Sequence, residues 1–184
     1  MSTTPSKTFL VCHGAWSAGW AWKKMHPLMQ AAGHRLVTPT YTGLGERAHL
    51  ANASIDLNSH IEDMLNVIKY EDLRDIVLIG HSYGGMVATG VADRARDKVR
   101  QLIYIDAFVP ADGQSLLDLN EVARPRMQEL SKTGDGWRDG HARLARPKEG
   151  ERLLDRQIEH LGDVEVAEFV SKHRCLKSTP VALL

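Results

Sequence analysis

Ile76-Val77-Leu78-Ile79-Gly80-His81-Ser82-Tyr83-Gly84-Gly85 decides how this chain is read. Four consecutive apolar residues make a short buried strand. The strand runs into a turn where Gly80 and Gly84 flank Ser82 at two-residue spacing, and Met86–Asp93 beyond it suits a helix. Glycine on both sides permits a sharp bend and close packing of helix on strand. The bend leaves the Ser82 hydroxyl exposed at the strand end. The amides that follow, at a helix N-terminus, can hold a developing negative charge. This is a nucleophile elbow, an arrangement for acyl transfer at an ester-like carbonyl. The plainer reading is a Gly-rich turn with an incidental serine, and the flanking strand and helix favour the elbow.

Working outward, strand and helix alternate. Thr8–Cys12 is a buried strand ending at His13-Gly14, and His34–Thr40, Asp75–Ile79 and Gln101–Phe108 are three more. Residues 20–32 carry Trp20, Met25, Leu28, Met29 and Ala32 at helical spacing, stopped by Gly33. A second helix runs to Tyr70 with Ile61, Leu65 and Ile68 on one face, capped by Asn58 or Ser59. Strands joined by helical crossovers imply an α/β fold with a doubly wound, mainly parallel sheet and flanking helices. Ligands bind beyond the C-terminal ends of such strands, where His13, Ser82 and Asp106 all fall. After Pro110 no further strand is evident. Residues 115–131 and 151–173 read as amphipathic helices, with a loop at 134–150 between them.

At 184 residues the chain is long enough to bury a proper core. Acidic and basic residues balance at 23 each, so nucleic acid and anionic membranes are not indicated as partners. The N-terminus is short and polar, without a signal-peptide pattern, and no apolar run approaches membrane-spanning length. With Cys12 in a buried strand and Cys175 the only other cysteine, a reduced, cytoplasmic setting is expected.

A neutral serine hydroxyl needs a base and an oxyanion hole. The hole is expected from the amides of Tyr83, just after the nucleophile, and Ala15, in the loop after the first strand. Asp106 closes the fourth strand, either orienting a histidine or capping a turn. The base is open. His141, His160 and His173 follow Ser82, but none follows a predicted strand; His141, beside Gly140 in a loop, is taken first. His81 should point away from Ser82. Gly43–His49 borders a pocket or is held by Glu46 and Arg47 as structure alone. Trp16, Trp20 and Trp22 are read as packing the first helix and loop. No His/Cys cluster has metal-ligand spacing, and neither metal nor cofactor is expected.

His13-Gly14-Ala15-Trp16, Thr42-Gly43-Leu44-Gly45-Glu46-Arg47, the elbow, and Asp106-Ala107-Phe108-Val109-Pro110 occur in one order. From Thr8 to Leu119 the chain resembles the α/β-hydrolase fold. The resemblance, with right-handed crossovers, implies the Thr8 strand at the centre, between the His34 and Asp75 strands, with the Gln101 strand outside the latter. Within that fold, the chain is similar to small bacterial esterases related to plant methyl-salicylate esterases and hydroxynitrile lyases. The resemblance implies Ser82 as nucleophile and the Ala15 and Tyr83 amides as the hole. The lyase branch usually carries an acidic residue before the nucleophile and a polar one in place of Gly14; His81 and Gly14 favour the esterase branch. The core is placed at 1–114. Residues 115–184 are expected to be a helical, cap-like and divergent segment, the family pattern fading near Trp137 so that the fold reads as C-terminally incomplete. The catalytic histidine of the family has no aligned counterpart.

These readings converge on a serine hydrolase cleaving small carboxylic esters through an acyl-enzyme. The rival is a non-catalytic remnant that binds a small apolar acid or ester, and a hydroxynitrile lyase is a weaker third. Weak turnover and an open sheet edge favouring homo-oligomers are expected.

Overall fold

The computed structural model describes residues 5–119 and 124–125. The elements are β1 (Thr8–Cys12), a 3₁₀ turn (Gly19–Trp22), α1 (Met25–Ala31), β2 (Arg35–Val37), a second 3₁₀ turn (Gly45–Leu50), α2 (Leu57–Tyr70), β3 (Ile76–Ser82), α3 (Gly84–Arg94), β4 (Val99–Ala107) and α4 (Leu116–Leu119). The four strands form one sheet in the order β2-β1-β3-β4. Every pairing is parallel, with Phe9 opposite Leu36, Leu10 opposite Leu78 and Ile79 opposite Ile103. This is the order expected from the sequence, with helical segments carrying the chain between parallel neighbours.

Both sheet faces are covered. Leu10, Cys12, Ile76 and Leu78 join Ile61, Met64 and Ile68 of α2 and Val87 and Val91 of α3 in one core cluster. The alternate residues Phe9, Val11, Val77 and Ile79 are also buried, on the opposite face. That explains why β1 and β3 read as unbroken apolar runs. The α2–α3 contact depends on Gly90, where a β-carbon would strike Ile61 Cδ1.

Several element bounds differ from expectation. The helix expected over 20–32 is split. Pro27 has no N–H for the Lys23 carbonyl, so the helix cannot run back through that turn, and α1 starts at Met25. The preceding Gly19 is locked to the next strand region by its N–H bond to Thr40 Oγ1 at 2.8 Å. β2 ends at Val37, short of Pro39. β3 runs on through Ser82 and β4 begins at Val99. The cap of α2 is Asp56 rather than Asn58 or Ser59: Ser59 N–H donates to Asp56 Oδ1 at 2.9 Å and Asp56 N–H to Ser59 Oγ at 3.2 Å, a reciprocal capping box. Of the helix expected over 115–131, the described part contains Leu116–Leu119 as a full element. The helix at 151–173, the loop at 134–150 and most of the 115–184 segment lie outside the described residues. Among the described residues no helix is long and apolar enough to cross a membrane.

Candidate active site

The carboxyl end of β3 delivers Ser82 directly into α3. Ser82 has φ +54°, a left-handed conformation that L-residues with a β-carbon rarely adopt. The turn is tight because Gly84 lies against β1: a β-carbon there would overlap the Cys12 carbonyl oxygen and stand 2.7 Å from that of His13. The left-handed step also disturbs the neighbouring strand. His81 pairs with Ile105 and Ser82 with Ala107, so Asp106 is the extra residue of a bulge. Asp106 itself has φ +43° and is exposed at the strand end, and the Phe108 N–H closes the bulge on the Ser82 carbonyl at 3.0 Å.

The loop after β1 closes over the serine. A β-carbon built on Gly14 would lie 3.3 Å from Ser82 Cβ and 3.5 Å from Ser82 Oγ. Glycine therefore lets this backbone approach the hydroxyl. His13 fixes the loop from below. Its Nδ1–H donates to the Gly14 carbonyl at 2.8 Å, and its Nε2 accepts the Tyr41 N–H at 3.3 Å. Both ring nitrogens are used, and burial pulls the imidazole down from 6.5 to about 4. His13 is thus a neutral structural group, not a base for Ser82. The Gly14 carbonyl shares a peptide plane with the Ala15 N–H, so holding the oxygen also orients that amide. No hydrogen bond among the described residues uses the Ala15 or Tyr83 amide.

A stack of rings lies beneath the elbow. His13 packs on Tyr41 with centroids 4.0 Å apart, and Tyr41 on His60 at 4.8 Å. His60 Nε2–H donates to the Thr42 carbonyl at 3.1 Å, which leaves Nδ1 to accept the Tyr83 hydroxyl at 2.9 Å. One turn further along α2, Asp63 accepts both the Thr42 N–H (2.6 Å) and the Thr42 hydroxyl (2.8 Å). Arg47 donates to the Thr40 carbonyl at 2.8 Å and reaches Asp63 at 3.5 Å. The Gly43–His49 loop is thus held by Arg47 through Thr40 and Asp63, not through Glu46. Nothing in the sequence marked His60, Tyr41 or Asp63. The available signal was the four-residue spacing of His60, Met64 and Ile68, which puts the histidine on the buried side of α2.

His81 follows the strand alternation onto the face opposite α3, edge-on to Trp22 at 5.9 Å. Its Nδ1 is buried without a hydrogen-bond partner among the described residues, 3.6 Å from where a β-carbon on Gly14 would stand. Burial lowers its pKa, with the Asp106 charge opposing. Trp22 is buried, whereas Trp16 is half exposed, so only part of the expected tryptophan packing belongs to the core. Ser82, Tyr83, the Gly14-Ala15 loop and Asp106 therefore meet at one end of the sheet. His141, His160 and His173 lie outside the described residues.

A separate cleft of about 340 Å³, lined in part by Leu65, Lys69, Leu73, Arg94 and Lys98, lies where α2 and α3 end. That is the opposite, amino-terminal edge of the sheet. Arg94 and Lys98 are already paired with Glu62 and Asp97, and no nucleophile faces the cleft. No group of three His, Cys, Asp or Glu among the described residues could hold a metal ion.

The chain is similar to known proteins. It is 51% identical over 117 residues to a carbendazim-hydrolyzing esterase of Nocardioides sp. (strain SG-4G), covering 64% of this chain and 48% of that protein. It is 28% identical over 140 residues to methylesterase 2 of Arabidopsis thaliana, covering 70% and 48%. An extracellular alpha/beta-hydrolase from a Paenibacillus species superposes with a TM-score of 0.64 at 30% identity, over 68% of this chain and 51% of that one. The chain spans about half the length of the curated relatives it matches. The model of the alpha/beta hydrolase family matches residues 9–181, and the chain belongs to that family.

Proposed function

We propose that the chain is a serine hydrolase that cleaves small carboxylic esters through an acyl-enzyme. One observation supports this above the rest: Ser82 stands left-handed at a strand–helix junction with the Gly14 loop against its hydroxyl. A structural serine has no need of that strain. The named esterases among its relatives support ester substrates.

In this reading Ser82 Oγ attacks the ester carbonyl and gives its proton to a histidine. The Ala15 and Tyr83 amides hold the oxyanion. Collapse of the tetrahedral adduct breaks the bond to the alcohol oxygen, which takes the proton back. Water then attacks the acyl-serine, with the same histidine as base, and releases the acid. Asp106 is assigned the orienting role and His141 is the base to test first. No cofactor enters these steps.

A second reading is favoured by a specific fact: none of His13, His60 and His81 hydrogen-bonds to Ser82. In it, the chain binds a small apolar acid or ester without turning it over. Hydrolysis of 4-nitrophenyl acetate by the chain, beside Ser82→Ala, Asp106→Asn and His141→Ala, separates the two. Saturable hydrolysis lost in Ser82→Ala supports the esterase, and loss in His141→Ala assigns the base. Ester binding with equal background rates in the parent and Ser82→Ala supports the binding role.

A further inference from the structure

The elbow has an anchor outside the reacting groups. Tyr83 supplies one of the proposed oxyanion amides, and its hydroxyl reaches back to α2. Immediately before it stands a left-handed serine, whose strain favours relaxation of the Ser82–Tyr83 peptide. The Tyr83 ring is the lever that resists this. Its hydroxyl donates to His60 Nδ1 at 2.9 Å, and the ring stands edge-on to both His60 and Tyr41. His60 is in turn immobilised by the Thr42 carbonyl and by stacking on Tyr41. Tyr41 stacks on His13, which orients the Gly14-Ala15 peptide. Both proposed oxyanion amides are therefore referred to one rigid column of rings.

We propose that His60 is a positioning residue for the ester-cleaving site, holding the Tyr83 amide in place through the Tyr83 hydroxyl while tying the Thr42 loop to the same ring. This rests on the esterase reading above. With the Nε2 proton on the Thr42 carbonyl, Nδ1 accepts from Tyr83; a proton on Nδ1 would reverse that bond, the Tyr83 hydroxyl then accepting. The groups facing His60 are Tyr83 from the elbow, Tyr41 and Arg47 from the segment after β2, and Asp56 and Asp63 from α2 itself. Burial dominates and lowers the ring's pKa, with Arg47 acting in the same sense, while the bond to the Thr42 carbonyl and the two aspartates oppose.

The experiment uses the full chain with 4-nitrophenyl acetate and the variants Tyr83→Phe, His60→Leu, His60→Gln and the Tyr83→Phe/His60→Leu pair. Thermal unfolding is recorded for each. Tyr83→Phe and His60→Leu should each lower kcat roughly ten- to a hundred-fold with KM little changed, as misplacement of a transition-state donor does. The double variant should be no worse than His60→Leu, because both remove one bond. His60→Gln, able to donate to Thr42 and accept from Tyr83, should recover most of the loss. A parent-like kcat in Tyr83→Phe, a multiplicative double variant, or losses that merely follow the folded fraction would overturn the assignment.

Nitrogen-15 spectra of the histidine rings supply a readout that does not need turnover. His60 should carry its proton on Nε2, and its Nδ1 resonance should move in Tyr83→Phe. An Nδ1 resonance indifferent to Tyr83→Phe overturns the bond itself. A parent chain without Ser82-dependent hydrolysis overturns the esterase reading and the catalytic half of this assignment with it, while the spectra still decide whether His60 anchors Tyr83.

Discussion

Gly14 faces Ser82 with little room for a side chain: a β-carbon on Gly14 would stand 3.3 Å from Ser82 Cβ and 3.5 Å from its hydroxyl. Contacts of that length are tight but can be relieved by a shift of a few tenths of an ångström. Gly14→Ala should therefore fold, with a stability loss of about 1 kcal/mol or less. Activity should suffer more, because the shift falls on the nucleophile and on the amide beside it. Hydrolysis should drop roughly tenfold or more in kcat/KM. Gly14→Val, with two further methyl groups at the same place, should abolish it. Parent-like kcat/KM in Gly14→Val would show that the loop does not meet the reacting serine.

Gly84 offers a contrast on the other side of the elbow. Its missing side chain is replaced by the Cys12 and His13 carbonyl groups, which are backbone and cannot swing aside. Gly84→Ala should cost at least about 3 kcal/mol, as an overpacked core position with no means of relief. Gly33, with φ +78° and open space around it, should lose only the conformational penalty of about 1–2 kcal/mol as Gly33→Ala. Urea unfolding of the two variants checks the ranking, and equal midpoints would contradict it.

The legible parts of the fold were those written in local chemistry. The unbroken apolar runs of β1 and β3 announced strands covered on both faces, and the glycine spacing around Ser82 announced the bend. Strand order then followed from the family resemblance together with crossover handedness. The split before α1 and the cap of α2 were also written in the chain, in Pro27 and in the Asp56/Ser59 spacing, but each competed with a longer apolar pattern or a neighbouring polar residue. Asp106 could be placed at a strand end. Its role as the extra residue of a bulge depends on how left-handed Ser82 shifts the β4 register. His60 was illegible for a different reason: its partners Tyr83, Thr42 and Tyr41 come from two other parts of the chain and meet it only after α2 docks.

Cys12 should be inert in the native protein. It is fully buried in β1, and burial pushes its thiol up to about 12, so almost no thiolate exists near neutral pH. In a Cys175→Ser background, iodoacetamide at pH 8 should leave Cys12 unmodified while the chain is folded and alkylate it rapidly in urea. Modification in the folded chain at the rate of a free thiol would mean that β1 opens without global unfolding.

The buried histidines should make stability fall as the solution turns acidic from neutral. His13 is held down to about 4 against an ordinary value of 6.5, chiefly by burial, and His60 and His81 are lowered in the same direction for the same reason. Between pH 6.5 and pH 4 the unfolded chain therefore holds more protons than the folded one, so stability rises with pH across that window. A group with that separation contributes about 3 kcal/mol at neutral pH that is gone once pH falls through the folded value. Urea midpoints measured at pH 7, 5.5 and 4 should drop steadily, and most of the drop should come before the exposed carboxylates protonate. Nitrogen-15 or proton NMR of His13 should show no titration until about pH 4. A stability profile that stays flat from pH 6.5 to 4.5, or a His13 resonance titrating near 6.5 in the folded chain, would show that the ring column beneath the elbow is open to water.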